Sequence, residues 1–95
     1  MKLIVSRAAT ADLERLYSFL AKRNPAAAAR AAKILASAIQ LLDTMPERGR
    51  PSGLPKIREL IVPFGRSAYV LRYAYSIENQ EIVVLRLWHG REARE

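Results

Sequence analysis

The sequence predicts an α+β fold in which a helical hairpin covers one face of a sheet, in the order βααβββ. Three observations carry that expectation. A β-branched run, KLIVS, opens the chain, and two stretches of helical spacing follow it and meet at Asn24-Pro25. Three strand-like runs joined by links of hairpin length then fill the second half. An N-terminal strand and an antiparallel meander can form one sheet, and two consecutive helices have nowhere to bury their apolar stripes except against it.

Each element has a local reason. Lys2–Ser6 is short and rich in β-branched side chains, hence a strand. From Ala9 the apolar residues Ala9, Leu13, Leu16, Tyr17 and Leu20 recur at helical spacing. Ser6 or Thr10 supplies the cap, Asp12 and Glu14 suit a first turn, and Lys22 and Arg23 suit a last turn. Asn24 then caps a second helix that starts at Pro25 and runs to about Met45. Its buried stripe is Ala31, Leu35, Ala38, Leu42 and Met45, widened by Ile34, Ile39 and Leu41, while the early alanines allow close approach to the first helix. PERGRPSGLP (46–55) is a loop. Ile57–Val62, Ser67–Tyr75 and Glu81–Trp88 are the meander strands, turned by PFGR and SIENQ. The whole chain, 1–95, is expected to be one domain, because a second core would need roughly another hundred residues.

Composition narrows the partners. The net charge is +7, and twelve of the sixteen cations are arginine, whose planar fork suits phosphate or carboxylate. The partner should therefore be anionic: a nucleic acid, an enzyme acting on one, or an acidic protein. With no cysteine there is no disulfide or thiolate site, and no carboxylate–histidine cluster suggests a metal. No metal or cofactor is expected. No apolar run approaches membrane length and the first residues lack the pattern of a signal peptide, so a cytoplasmic protein away from membranes is expected.

Alternation along the strands assigns faces. Tyr69, Leu71, Tyr73 and Tyr75 should face the helices, leaving Arg72 on the open side. Because burying an unpaired guanidinium is costly, Arg86 should be open too, with Val84 and Trp88, while Val83, Leu85, Leu87 and His89 turn inward. Arg58 would share that open face with Leu60 and Val62. Three arginines on one face make a plausible anion site, unless they pair with Glu59, Glu78 or Glu81. Acid–base chemistry is thin: His89 is the only histidine, Glu92 the nearest carboxylate to it, and three tyrosines face the core. No phosphate-binding loop, dinucleotide fingerprint or HExxH is present.

Over nearly its full length the chain resembles the RelE/ParE superfamily of type II toxin–antitoxin toxins. The matching stretches are SRAATADLERLYSFL, RELIVPFGRSAYVLRYAY and IVVLRLWHGREARE. The resemblance implies the βααβββ fold and a growth-inhibiting bacterial toxin. RelE-like members are ribosome-dependent mRNA endonucleases that use basic residues of the open sheet face and a late tyrosine. Against that pattern Arg58 stands at a lysine position, Leu60 at a second lysine position and Val70 at an arginine position. Arg91 fits only with a one-residue slip, and no tyrosine follows Tyr75. ParE-like members are closer. They imply a non-enzymatic inhibitor of DNA gyrase, encoded beside an acidic ParD-like antitoxin that folds on binding and brings DNA into the complex only indirectly. The toxin and antitoxin would form a hetero-oligomer. Expected target contacts are Arg58, Arg72, Arg86, Trp88, His89, Arg91 and Arg94, and expected antitoxin contacts are Leu13, Tyr17, Leu20 and Arg66. Under the alternative, mRNA cleavage, the working residues would be Arg58, Arg72, Arg86, His89 and Arg91.

Overall fold

The computed structural model describes residues 1–92. Strand β1 (Lys2–Val5) leads into helix α1 (Arg7–Ala21) and helix α2 (Pro25–Leu41). Strands β2 (Arg50–Pro51), β3 (Ile57–Phe64), β4 (Ser67–Ser76) and β5 (Glu81–His89) follow. They form one sheet in the order β1-β5-β4-β3-β2, with β1 parallel to β5 and the remaining pairs antiparallel. The expected α+β architecture is present, with one addition. The loop after α2 pairs Arg50 with Glu59 and Pro51 with Arg58, and so contributes a two-residue edge strand.

Local chemistry sets the element ends. Ser6 caps α1, its hydroxyl accepting from the Ala9 N–H at 3.0 Å, and Asn24 caps α2 by accepting from the Ala27 N–H at 3.1 Å. Pro25 occupies the first turn of α2, where its missing N–H costs nothing. With α1 starting at Arg7, Asp12 and Glu14 fall beyond the first turn, and Lys22 and Arg23 beyond the last. α2 stops at Leu41, so Met45 lies past it, and Ile34, Leu41 and Met45 are exposed rather than part of the buried stripe. The β3–β4 turn is the two residues Gly65-Arg66, with Gly65 at φ +60°, the place a type II′ turn reserves for glycine.

The core lies between the helices and one sheet face. Ala9, Leu16, Ala31, Leu35, Ala38, Ile39 and Leu42 pack on Leu60, Val62, Tyr69, Leu71, Tyr73, Ile82, Val84 and Leu87. Two face assignments therefore need correction. Leu60 and Val62 are core residues, so Arg58, which alternates with them, points to the helix side and not to the open side. A register irregularity opposite Arg72/Tyr73 lets β5 skip a residue, because Arg72 pairs with Arg86 while Tyr73 pairs with Val84. Leu85 is the extra residue. Before it Ile82 and Val84 face the core and Val83 the open side; after it Leu87 and His89 face inward, and Arg86 and Trp88 outward.

β1 covers the edge of β5 only as far as Val84. Beyond that point α1 takes over. The Ser6 hydroxyl donates to the Leu85 carbonyl at 3.0 Å, Asp12 accepts from the Leu87 N–H at 2.9 Å, and Arg15 reaches the Leu87 carbonyl at 3.4 Å. Side chains of a helix thus satisfy a strand edge that would otherwise offer itself for pairing.

Candidate functional site

The open face of β3–β5 carries a row of charges stacked on an indole. Arg72 donates through Nε (3.0 Å) and Nη2 (2.8 Å) to Glu59 Oε2. Arg86 makes a fork on Asp12, Nε to Oδ2 at 2.8 Å and Nη2 to Oδ1 at 3.2 Å. Both guanidiniums lie over the ring of Trp88, at 4.9 and 5.4 Å from its centroid. The two carboxylates are nearly sealed, Asp12 at 4% and Glu59 at 7% exposure, and Trp88 is 3% exposed. Trp88 is on the open side as expected, but it lies beneath the arginines rather than at the surface.

Asp12 is the hub of this row. Burial pushes its carboxyl pKa up, yet hydrogen bonds from Arg86, the Leu87 N–H and Arg15, with the charge of Arg86, outweigh that and hold it below the ordinary carboxylate value. It is ionised throughout the physiological range and fixes Arg86 in place. Sequence reasoning read it as a helix-dipole residue; the only sequence signal for its real role is Arg15, three residues on, which shares it.

Arg58 stands apart from the row. On the helix side of β3 its Nη1 donates to the carbonyls of Gly49 (2.7 Å) and Glu47 (3.4 Å). The expected trio Arg58, Arg72 and Arg86 therefore does not share a face, and two of the three are neutralised by carboxylates. Nearby, the Tyr73 hydroxyl donates to the Pro46 carbonyl (2.7 Å) and accepts from the Gly49 N–H (2.8 Å), which pins the loop to β4. Burial raises the Tyr73 pKa, although the Gly49 hydrogen bond and the arginines Arg58 and Arg48 pull the other way.

The segment after β5 folds back on α1. Glu92 pairs with Arg15 and accepts from the His89 N–H at 2.8 Å, while His89 sits edge-on to Tyr69, ring centroids 5.6 Å apart. The Tyr69 hydroxyl pKa is raised by burial and by the charge of Glu92. Arg91 is exposed at this turn, and Arg94 lies outside the described residues. The stretch from Gly90 to Glu92 is thus docked against β4 and α1.

Two apolar clefts of about 550 Å3 each flank α1 and share Leu16 and Tyr69. The first runs between the helices, lined by Leu13, Tyr17, Ala28, Ala31 and Leu35 among others. The second lies between the end of α1 and the turn after β5, lined by Phe19, Leu20, Phe64, His89 and Arg91. Leu13 and Tyr17 thus meet in one cleft and Leu20 lines the other; Arg66 is exposed in the β3–β4 turn, outside both linings. Tyr17 is 49% exposed at its cleft. Among the described residues no group of three or more histidine, cysteine or acidic side chains could hold a metal, and no helix is long and apolar enough to cross a membrane.

Known proteins resemble this chain in sequence and fold. The family model described as "ParE toxin of type II toxin-antitoxin system, parDE" matches residues 3–94. Toxin RelE1 of Caulobacter vibrioides is 44% identical over 91 residues, covering 96% of this chain and 95% of that protein. Toxin RelE3 of the same organism is 35% identical over 83 residues, covering 87% of each. Among solved structures, a chain of the chromosomal ParDE TA system from P. aeruginosa superposes with a TM-score of 0.77. It is 26% identical and covers 96% of this chain and 97% of that one. The chain belongs to the ParE toxin family of type II toxin–antitoxin systems, within the RelE/ParE superfamily.

Proposed function

We propose that this toxin arrests growth by binding DNA gyrase, without itself cutting nucleic acid, and that an acidic antitoxin segment neutralises it. The observation that carries the reading is the state of the sheet-face arginines. A metal-free ribonuclease needs cations gathered around a scissile phosphate and groups that move protons. Here Arg72 and Arg86 are each held by a buried carboxylate, and Arg58 is on the other face. His89 Nδ1 accepts from the Arg91 N–H at 3.2 Å, so this nitrogen is engaged within its own turn. A protein-contact surface built around Arg91 and its turn suits these constraints better than a phosphate-cleaving centre.

The antitoxin reading rests on charge and shape. A net charge of +7 favours an acidic partner. The first cleft, with Leu13 and half-exposed Tyr17 on its wall, suits the apolar side of a segment that orders on binding. A second reading has one observation in its favour: both Caulobacter relatives carry the name RelE, the branch implied above to cleave mRNA on ribosomes. Induced expression followed by two assays separates them. Gyrase-linked DNA breaks with intact messages support gyrase as target; message cleavage at codon-positioned sites, with gyrase unaffected, refutes it.

A further inference from the structure

The turn after β5 is tightly held, and all four of its backbone N–H groups are engaged. The His89 N–H donates to Glu92 Oε1 (2.8 Å), the Gly90 N–H to the Ala68 carbonyl (2.7 Å), the Arg91 N–H to His89 Nδ1 (3.2 Å), and the Glu92 N–H to the His89 carbonyl (2.9 Å). A side chain at Gly90 would bring its Cβ to 3.0 Å from the Ala68 carbonyl, so the strand–turn junction favours glycine. Glu92 closes the turn in the manner of the acidic half of a capping box. Arg15, from the middle of α1, then clamps Glu92 while also touching Asp12 and the Leu87 carbonyl. Arg91 is the one cation of this turn, and no carboxylate among the described residues pairs with it.

We infer that Arg15 and Glu92 are positioning residues: they hold the turn His89–Glu92 so that Arg91 is presented to the toxin's target in a fixed geometry. The inference rests on the reading that this turn touches the target, whichever target that is. Its physical basis is preorganisation, since a contact already ordered in the free protein need not be ordered at binding.

The test uses the full-length toxin and two readouts, growth arrest on graded induction and backbone mobility of Gly90 and Arg91 by heteronuclear NOE. Glu92→Ala removes both the clamp and the acceptor for the His89 N–H; Glu92→Gln keeps an oxygen for that N–H. Glu92→Ala is expected to loosen the turn and weaken growth arrest about ten-fold, as lost preorganisation would. Its melting temperature should fall by less than about 5 °C, because a partly exposed ion pair carries little stability. Glu92→Gln should restore most of the rigidity and of the arrest. An equally rigid turn in Glu92→Ala overturns the clamp, and a loosened turn with undiminished arrest overturns its role in presentation. Undiminished arrest by Arg91→Ala would instead overturn the reading of this turn as a target contact.

Discussion

Among single residues Asp12 does the most. Four donors converge on it, two from Arg86, one from Arg15 and the Leu87 N–H. Removing its charge takes the forked carboxylate from Arg86, leaves Arg15 with Glu92 as its carboxylate, and gives a strand N–H a poorer acceptor. Both arginine side chains are partly exposed, 37% and 42%, so solvent softens the loss. Asp12→Asn should cost about 1–3 kcal/mol at neutral pH. Because the folded pKa is depressed, this contribution is complete above the ordinary value of 3.8 and is lost as pH falls through the lower folded value. Urea unfolding from pH 7 down to pH 2 should therefore show an acid limb in the parent that is reduced in Asp12→Asn. Identical limbs would show that Asp12 is not the titrating link. Sequence alone could not find this residue, because its partner Arg86 is 74 positions away and meets it only where α1 replaces β1 along the β5 edge.

At the scale of elements, most of the architecture was legible. Ser6 as one of two cap candidates, the Asn24 cap, the proline start of α2 and the three meander strands follow from local chemistry that tertiary contacts do not override. β3 nonetheless runs on to Phe64 and narrows the PFGR link to a two-residue turn. Face assignment failed where one residue breaks the period of two. The irregularity at Leu85 shifts the phase of β5, so Val83 and Val84 exchange sides relative to simple alternation. Arg58 misled for another reason. A guanidinium at the end of a strand can turn to backbone carbonyls of a neighbouring loop, and Gly49 and Glu47 provide them. That loop is fitted closely to β4. A Cβ at Gly49 would lie 2.8 Å from the Tyr73 ring and hydroxyl and 3.0 Å from the Glu59 carbonyl. Gly49→Ala should accordingly destabilise the fold by about 1–3 kcal/mol through overpacking, read as a lower thermal midpoint. An unchanged midpoint would mean that the loop gives way freely and does not anchor β2.

Over the whole molecule, positive charge divides into committed and uncommitted parts. Arg15, Arg72, Arg86 and Lys56 are paired with carboxylates. Arg7, Arg30, Lys33, Arg48, Arg50, Arg66 and Arg91 are exposed, and none pairs with a carboxylate among the described residues. The basic balance visible in the composition therefore resides outside the sheet row that sequence reasoning singled out. Family membership was legible from the order of elements and three motifs, whereas the pairing of Arg86 with Asp12 was not, since the two meet only in three dimensions. The most direct measurement is to add the purified toxin to DNA gyrase, ATP and supercoiled plasmid, and to score protein-linked DNA breaks after denaturation. A gyrase-directed binder yields breaks that increase with toxin and vanish when gyrase is omitted. No breaks at saturating toxin, together with cleavage of ribosome-bound messenger by the same preparation, would contradict it.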